Sequence, residues 1–460
     1  MTATAPAPAR TKIQVPHFVR GKLVWGEDNE YLSRDFGVPF VTPKIEYNEL
    51  FVPRTEPGPA FDVPISEIID FLVETAGQLS LEKNPYLQES LEMTLQVSAL
   101  PRRIIENTFR RPGQFLTKKA LEYRLERTFG SIDVLDGWVE NTDPNGSVSK
   151  IRAFPPRLVH MLAGNSPSAA MTSIADAALL KAVNVFKMPS ADPFTTVAVL
   201  RTMADIAPDH PVLKSISAVY WRGGDESVEG VLYRSQYFDK LVAWGGGPAI
   251  ENAAKYAGPG FDLISFDPKV SMAIVGREAF ESEETLREVA ELAAADATIF
   301  NQDACLAARH ICVEGDVEQV DRFCALLHER LGVDRDFASA VGPKPDSEIR
   351  EASKECVTWS RTTACGARST VPDSWSALPR WSTSTPISRP STSFRSRTCA
   401  MPRPMRRWQL RRSASTRTTA RPRSVITSRP RVSSGSSSSA AHCAAAWVAR
   451  TTACTRCTAW

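Results

Sequence analysis

Residues 157–190 read RLVHMLAGNSPSAAMTSIADAALLKAVNVFKMPS. Two short apolar runs, Leu158-Val159-His160-Met161-Leu162 and Val183-Asn184-Val185-Phe186, bracket a helical stretch from Ser173 to Ala182. The first run ends in Ala163-Gly164-Asn165-Ser166-Pro167, the second in Lys187-Met188-Pro189-Ser190. Short apolar runs without polar alternation suit strands covered on both faces, as in a parallel sheet with crossover helices. The pattern continues downstream. Phe194–Ile206 reads as helix, Ile216–Tyr220 as strand and Val228–Tyr233 as part of a helix. Lys240–Trp244 is a strand running into Gly245-Gly246-Gly247-Pro248, and Ala249–Lys255 begins a helix. Strands alternating with helices predict an α/β fold with a doubly wound parallel sheet.

In such sheets ligands bind beyond the carboxyl ends of the strands. Asn165, Lys187 and the triple glycine all fall at predicted carboxyl ends. Gly245 and Gly246 let backbone amides and a helix N-terminus approach a phosphate, although a tight turn explains them equally well. Lys187 reads as a solvated lysine or, with Ser190, as a ribose or phosphate contact. Asn165 is either turn chemistry or an amide aimed at a developing oxyanion.

Further on come a strand, Ser271–Val275, and an amphipathic helix, Glu283–Ala295, with an acidic first turn that suits the helix dipole. The helix leads through Ala297-Thr298-Ile299-Phe300 to Asn301-Gln302-Asp303-Ala304-Cys305. Ile311-Cys312-Val313 is β-like, and Val317–Leu331 is helical. A single cysteine at the mouth of a polar turn is a candidate nucleophile. The competing reading is a half-buried structural cysteine. Cys312 and Cys324 are expected to be structural. The histidines share no metal spacing, so no metal site is predicted, and His160 in its apolar run reads as a core residue.

Upstream, residues 1–60 are punctuated by proline and read as an N-terminal arm laid on the body. Val63–Leu79, Leu87–Ser98, Ile104–Phe109 and Leu116–Phe129 are helical, with a cap near Ser66 and Glu67. Ser131–Val139 and Ser147–Phe154, flanking Asp143-Pro144-Asn145-Gly146, predict a β-hairpin. No run of eighteen apolar residues occurs and Met1–Arg10 has no signal-peptide core, so no membrane span and a cytoplasmic location are expected.

The chain holds 460 residues, and its net charge of +3 averages two compositions. From Cys356 onward there are 18 Arg, no Lys and one acid, Asp373, against 55 basic and 52 acidic residues in all. Residues 1–355 therefore carry about −14 and the remainder about +17. Three readings compete for 356–460: an Arg-rich arm on nucleic acid, a zinc site at Cys454 and Cys457, and a frameshifted GC-rich gene. Scattered Trp and Cys without Lys argue against the first, and the lack of a second paired-cysteine motif argues against the second. The tail is read as frameshifted and disordered, with no nucleic-acid partner.

Gly164-Asn165 after a strand, Lys187-x-Pro189-Ser190, a strand into Gly245-Gly246, and Asn301-Gln302-x-x-Cys305 together resemble the aldehyde dehydrogenase superfamily. The wording LAGNSPSAA, FKMPSADPFTT, AWGGGPAI, FDPKVSMAIV and NQDACLAARHICVE resembles its LuxC-type fatty acyl-CoA reductase branch, over about residues 60–350. The resemblance implies a dinucleotide-binding domain at 61–280, with its helical part and hairpin, and the start of a catalytic domain at 281–355, incomplete in this chain. It implies Cys305 as acyl-accepting nucleophile, Asn165 as oxyanion donor, and Lys187, Ser190, Gly245 and Gly246 as contacts to NADPH. It further implies an acyl-CoA or acyl-protein thioester substrate, an acyl-protein synthetase or acyltransferase as partner, and a homo-oligomer. Where hydrolytic members carry a glutamate, this chain has Ser265-Phe266-Asp267-Pro268-Lys269, which favours thioester chemistry over hydrolysis. An oxidative or CoA-acylating aldehyde dehydrogenase, and an inactive remnant that at most binds cofactor, stay open as alternatives.

Overall fold

The computed structural model describes residues 12–267 and 269–340. The expectations placed on 356–460 lie outside the described residues. Five short strands open the chain: β1 (Ile13–Gln14), β2 (His17–Val19), β3 (Lys22–Val24), β4 (Asn29–Leu32) and β5 (Pro39–Thr42). Helices α1 (Tyr47–Leu50), α2 (Ile65–Gln78), α3 (Pro85–Val97), α4 (Arg102–Phe109) and α5 (Lys118–Phe129) follow, then the hairpin β6 (Val139–Thr142) and β7 (Val148–Ile151). The central run is β8 (Arg157–Met161), α6 (Pro167–Leu179), β9 (Val183–Lys187), α7 (Thr195–Ile206), α8 (Pro211–Lys214) and β10 (Ile216–Val219). It continues as α9 (Glu226–Leu232), β11 (Lys240–Trp244), α10 (Gly247–Ala254) and β12 (Asp262–Phe266). Last come β13 (Ser271–Val275), α11 (Glu283–Thr298), β14 (Ala308–Val313) and α12 (Val317–Leu331).

The α/β sheet inferred from residues 157–255 is present, in the order β12-β11-β8-β9-β10-β2-β3. The five strands from β12 to β10 are parallel, while β2 and β3 add an antiparallel edge. The chain steps outward from β8 through β9 to β10, then returns to β11 on the other side of β8. That reversal makes the carboxyl ends of β8 and β11 a topological switch point. Alternate residues serve opposite faces: Phe186, Ile216 and Ala218 join the core under the helical half. Val185, Val219 and Leu241 join the core beneath α9 and α10. Each of the larger side chains among these, fully buried, contributes roughly 1.5–3 kcal/mol.

Several local features differ from the sequence reading. The arm supplies β2, which pairs with β10, so part of it is built into the sheet. The predicted strand from Ser131 starts only at Val139, because Ser131 Oγ accepts from Asp133 N and folds 132–135 into a 3₁₀ turn. Asp136, itself exposed, accepts from Ile65 N at the start of α2 and from the buried Lys181 Nζ at 2.6 Å. That carboxylate does the capping expected of Ser66 and Glu67, while Pro64 occupies the cap position. Helix α6 begins at Pro167 rather than Ser173, with proline in its favoured first-turn place.

Two histidines are locked neutral inside. His160 Nε2 lies 3.1 Å from Asn184 Oδ1, as a core role requires, and His17 Nε2 accepts from Tyr220 N at 3.1 Å. Burial pushes both down to about 4 from an ordinary 6.5. A depressed folded value means the contribution is whole above pH 6.5, shrinks as the unfolded chain takes up protons, and is gone below about 4. Urea midpoints are expected to hold steady above pH 7 and fall between 6.5 and 4, as the unfolding free energy drops by about 3 kcal/mol per histidine at the limit. His17→Gln and His160→Gln should each flatten that fall, and midpoints in the parent that stay level from pH 7 to 4 would refute the assignment.

Helices α11 and α12 pack on the β13–β14 pair through Leu286, Ala290, Ala294, Phe323 and Leu327. Along β13, Met272 is 49 % and Ile274 79 % exposed, so an apolar strip stays open beside the Cys305 turn.

Candidate active site

Helix α11 stops where three successive residues, Phe300, Asn301 and Gln302, take positive φ of 51°, 48° and 71°. For residues with a Cβ this left-handed conformation costs about 1–2 kcal/mol each, so the surroundings must hold it. Phe300 N donates to Phe337 O at 2.7 Å, Asn301 Oδ1 accepts from Ser339 N at 2.9 Å, and Gln302 Nε2 donates to Ala297 O at 3.1 Å. The Asn and Gln of the motif are thus pins of a kink. Beyond it, Asp303 N bonds back to Phe300 O and Ala307 N to Ala304 O, leaving Cys305 exposed on the turn before β14. Ser271 Oγ, at the head of β13, donates to Cys305 O at 2.7 Å.

Asn165, on the turn after β8, reaches this loop: its Nδ2 donates to Asp303 O at 3.0 Å. An amide nitrogen carries two hydrogens, so one N–H remains for another acceptor. The Cys305 backbone N–H makes no hydrogen bond among the described residues. Gly164 fits because the neighbouring turn is so close: a Cβ there would stand 2.9 Å from Pro189 Cβ and 3.1 Å from Ala191 Cβ. Arg34, from the N-terminal arm, joins both turns, its backbone N 3.5 Å from Ser190 O and its Nη2 3.7 Å from Asp303 Oδ2. Burial pushes the Asp303 carboxyl up, and Arg34 opposes that shift. Sequence reasoning missed Arg34, Asp303 and Ser271, because nothing local marks a contact across so many residues. His310 sits on β14 opposite Met272, with no hydrogen bond to Cys305 among the described residues.

Lys187 ends β9, half-buried, its Nζ 5.6 Å and 5.8 Å from the rings of Tyr220 and Trp221 and 3.5 Å from Met188 O. Burial pushes its ammonium down to about 8, with Glu229 acting the other way. Burial pushes the Tyr220 phenol up to about 12, with Ser190 acting the other way. Gly246 caps α10, which starts at Gly247, ahead of the Ala249 expected from sequence. A Cβ on Gly245 would meet Ala249 at 2.9 Å, whereas Gly246 and Gly247 face open space. The strands β9 and β11 are separated by β8, about 10 Å apart. A cationic side chain at one end and open helix amides at the other fit the phosphates of a dinucleotide.

Aldehyde dehydrogenases share this fold. Benzaldehyde dehydrogenase from Corynebacterium glutamicum superposes with a TM-score of 0.56 at 16 % identity, covering 78 % of this chain and 77 % of that one. NADP-dependent glyceraldehyde-3-phosphate dehydrogenase from Bacillus halodurans C-125 gives 0.56 at 16 %, over 79 % and 76 %. The chain belongs to the acyl-CoA reductase (LuxC) family, whose family model matches residues 60–356. The long-chain acyl-protein thioester reductase of Vibrio harveyi is 29 % identical over 69 % of this chain and 64 % of its own length. That of Aliivibrio fischeri is 34 % identical over 46 % and 44 %. The chain thus spans less than two thirds of these relatives.

Proposed function

We propose that this chain reduces a long-chain fatty acyl thioester, on CoA or on a carrier protein, to the aldehyde through an acyl-cysteine at Cys305. The supporting observation is the Asn165–Asp303 hydrogen bond, which sets the turn bearing Cys305 against the carboxyl end of β8. In this reading residues 61–280 hold the dinucleotide and 281–355 begin the catalytic domain.

The Cys305 thiolate bonds to the thioester carbon, and the carbonyl electron pair moves to oxygen. The free N–H of Asn165 and the Cys305 amide stabilise that oxyanion, a contribution of about 10²–10³ in rate for one donor. Collapse breaks the bond to the donor sulfur, which leaves and takes a proton, and an acyl-cysteine remains. No glutamate stands in Ser265-Phe266-Asp267-Pro268-Lys269 to activate water, so the acyl group persists. Lys187, Ser190, Gly245 and Gly246 would hold NADPH, which when bound supplies the hydride. Cys305 then departs as thiolate. In sum, one thioester takes up a hydride and a proton, giving one aldehyde and one thiol. No acid stands immediately after Ser190 to favour a bare ribose diol, since Asp192, two residues on, is buried and accepts from Thr195 at the start of α7, and the cationic Lys187 suits a 2′-phosphate.

The reading extends to a cytoplasmic homo-oligomer supplied by an acyl-protein synthetase or acyltransferase. Incubation with long-chain acyl-CoA and NADPH should give aldehyde and free CoA thiol in equal amounts. Carboxylate in place of aldehyde would overturn the reading, and aldehyde-driven formation of acyl-CoA would move it to the oxidative alternative. Nicotinamide fluorescence should show tighter binding of NADPH than of NADH; equal affinities would remove the cofactor preference.

A further inference from the structure

Glu229 is completely buried on α9, yet among the described residues it makes no ion pair with a lysine or arginine. A buried carboxylate is costly unless its oxygens are filled. Here they are: Oε1 accepts from Gly224 N at 2.9 Å and from Trp221 Nε1 at 3.4 Å, and Oε2 accepts from Asn252 Nδ2 at 2.7 Å. The two oxygens therefore serve two different elements. Trp221 and Gly224 belong to the turn after β10, against which Lys187 lies, since a Cβ on Gly223 would stand 4.0 Å from Lys187 Cε. Asn252 belongs to α10, whose first turn opens at Gly246 and Gly247. The charged and titratable groups around it are Lys187, whose ammonium feels its charge, and the phenols of Tyr233 and Tyr256.

We propose that Glu229 is the positioning residue of the dinucleotide site. It ties the turn beside Lys187 to the helix that presents Gly246. This rests on the assignment of Lys187, Gly245 and Gly246 to the cofactor. Two substitutions separate the tie from the charge. Glu229→Gln removes the charge and keeps an oxygen for Gly224 and Trp221, and its link to α10 survives with the Asn252 amide turned over so that Oδ1 accepts from the new Nε2–H. Asn252→Ala removes the link to α10 and leaves the charge in place.

The test is NADPH binding by nicotinamide fluorescence from about pH 6 to 9, on the full chain, with circular dichroism to report the fold. Each variant should bind about tenfold more weakly than the parent at neutral pH. In Glu229→Gln the loss of affinity at alkaline pH should also set in at lower pH, because Lys187 loses its proton sooner. In Asn252→Ala that limb should stay where the parent has it. A merely structural role would move no pH limb. Parent-like affinity and pH profile in both variants would overturn the proposal. If Glu229→Gln fails to fold, parent-like binding by Asn252→Ala would overturn it alone. A parent that binds no dinucleotide at any pH would overturn the cofactor assignment itself, and this proposal with it.

Discussion

Replacing Cys305 by Ala is expected to abolish acyl transfer to the protein. With radiolabelled acyl-CoA and no NADPH, the parent should carry label on the tryptic peptide containing residue 305, and the variant should carry none. The expectation follows from placement: Cys305 is exposed on the turn that Asn165 grips through Asp303 O. Asn165→Ala should keep the nucleophile but lose one oxyanion donor, slowing labelling by about 10²–10³. Cys312 lies within β14, where Ile274 is its register partner, so Cys312→Ala should label like the parent. Undiminished labelling of Cys305→Ala would end the covalent mechanism. Undiminished labelling rates in Asn165→Ala would leave the thiol in place and remove the amide from the chemistry.

The parts of this molecule legible in the sequence are those where one physical requirement acts locally. Strands β8 and β9 are buried on both faces, so burial alone writes them as apolar runs, and the turns at their ends mark where a ligand can sit. Asn165 and Lys187 stand as site candidates for that reason, and Gly246 for its place after β11. Other parts depend on pairs of residues far apart. The three residues of β2 carry no pattern strong enough to announce their place beside β10. The edge strand β12 buries little, with Ile264 and Phe266 both more than two-fifths exposed, and so lacks the signature of its neighbours. The left-handed run at Phe300, Asn301 and Gln302 runs against local preference and exists because Phe337 and Ser339 supply its partners. Glu229 reads as one more acid on a surface helix; only the meeting of Trp221, Gly224 and Asn252 around it shows otherwise.

Gly164→Val is expected to damage both halves of the site in one step. The glycine sits between β8 and Asn165, and its missing side chain is the space into which Pro189 and Ala191 pack. A valine Cβ would meet Pro189 Cβ at 2.9 Å before its two methyl groups are counted. Proline cannot yield by changing rotamer, so the turn carrying Ser190 must move, or the turn carrying Asn165 must. Overpacking of this kind costs about 1–3 kcal/mol, which lowers the melting temperature without unfolding a domain of this size at 25 °C. Displacement has the larger consequence, because misplacing a reacting group by about 1 Å can cost 10²-fold in rate. Acylation of Cys305 and affinity for NADPH should therefore fall together in this variant, whereas Asn165→Ala should reduce the first alone. Gly164→Ala should show the same pairing in milder form. If Gly164→Val slows acylation but binds NADPH as the parent does, the two turns are not mechanically joined at this contact, and Asn165 is positioned by the Cys305 loop alone.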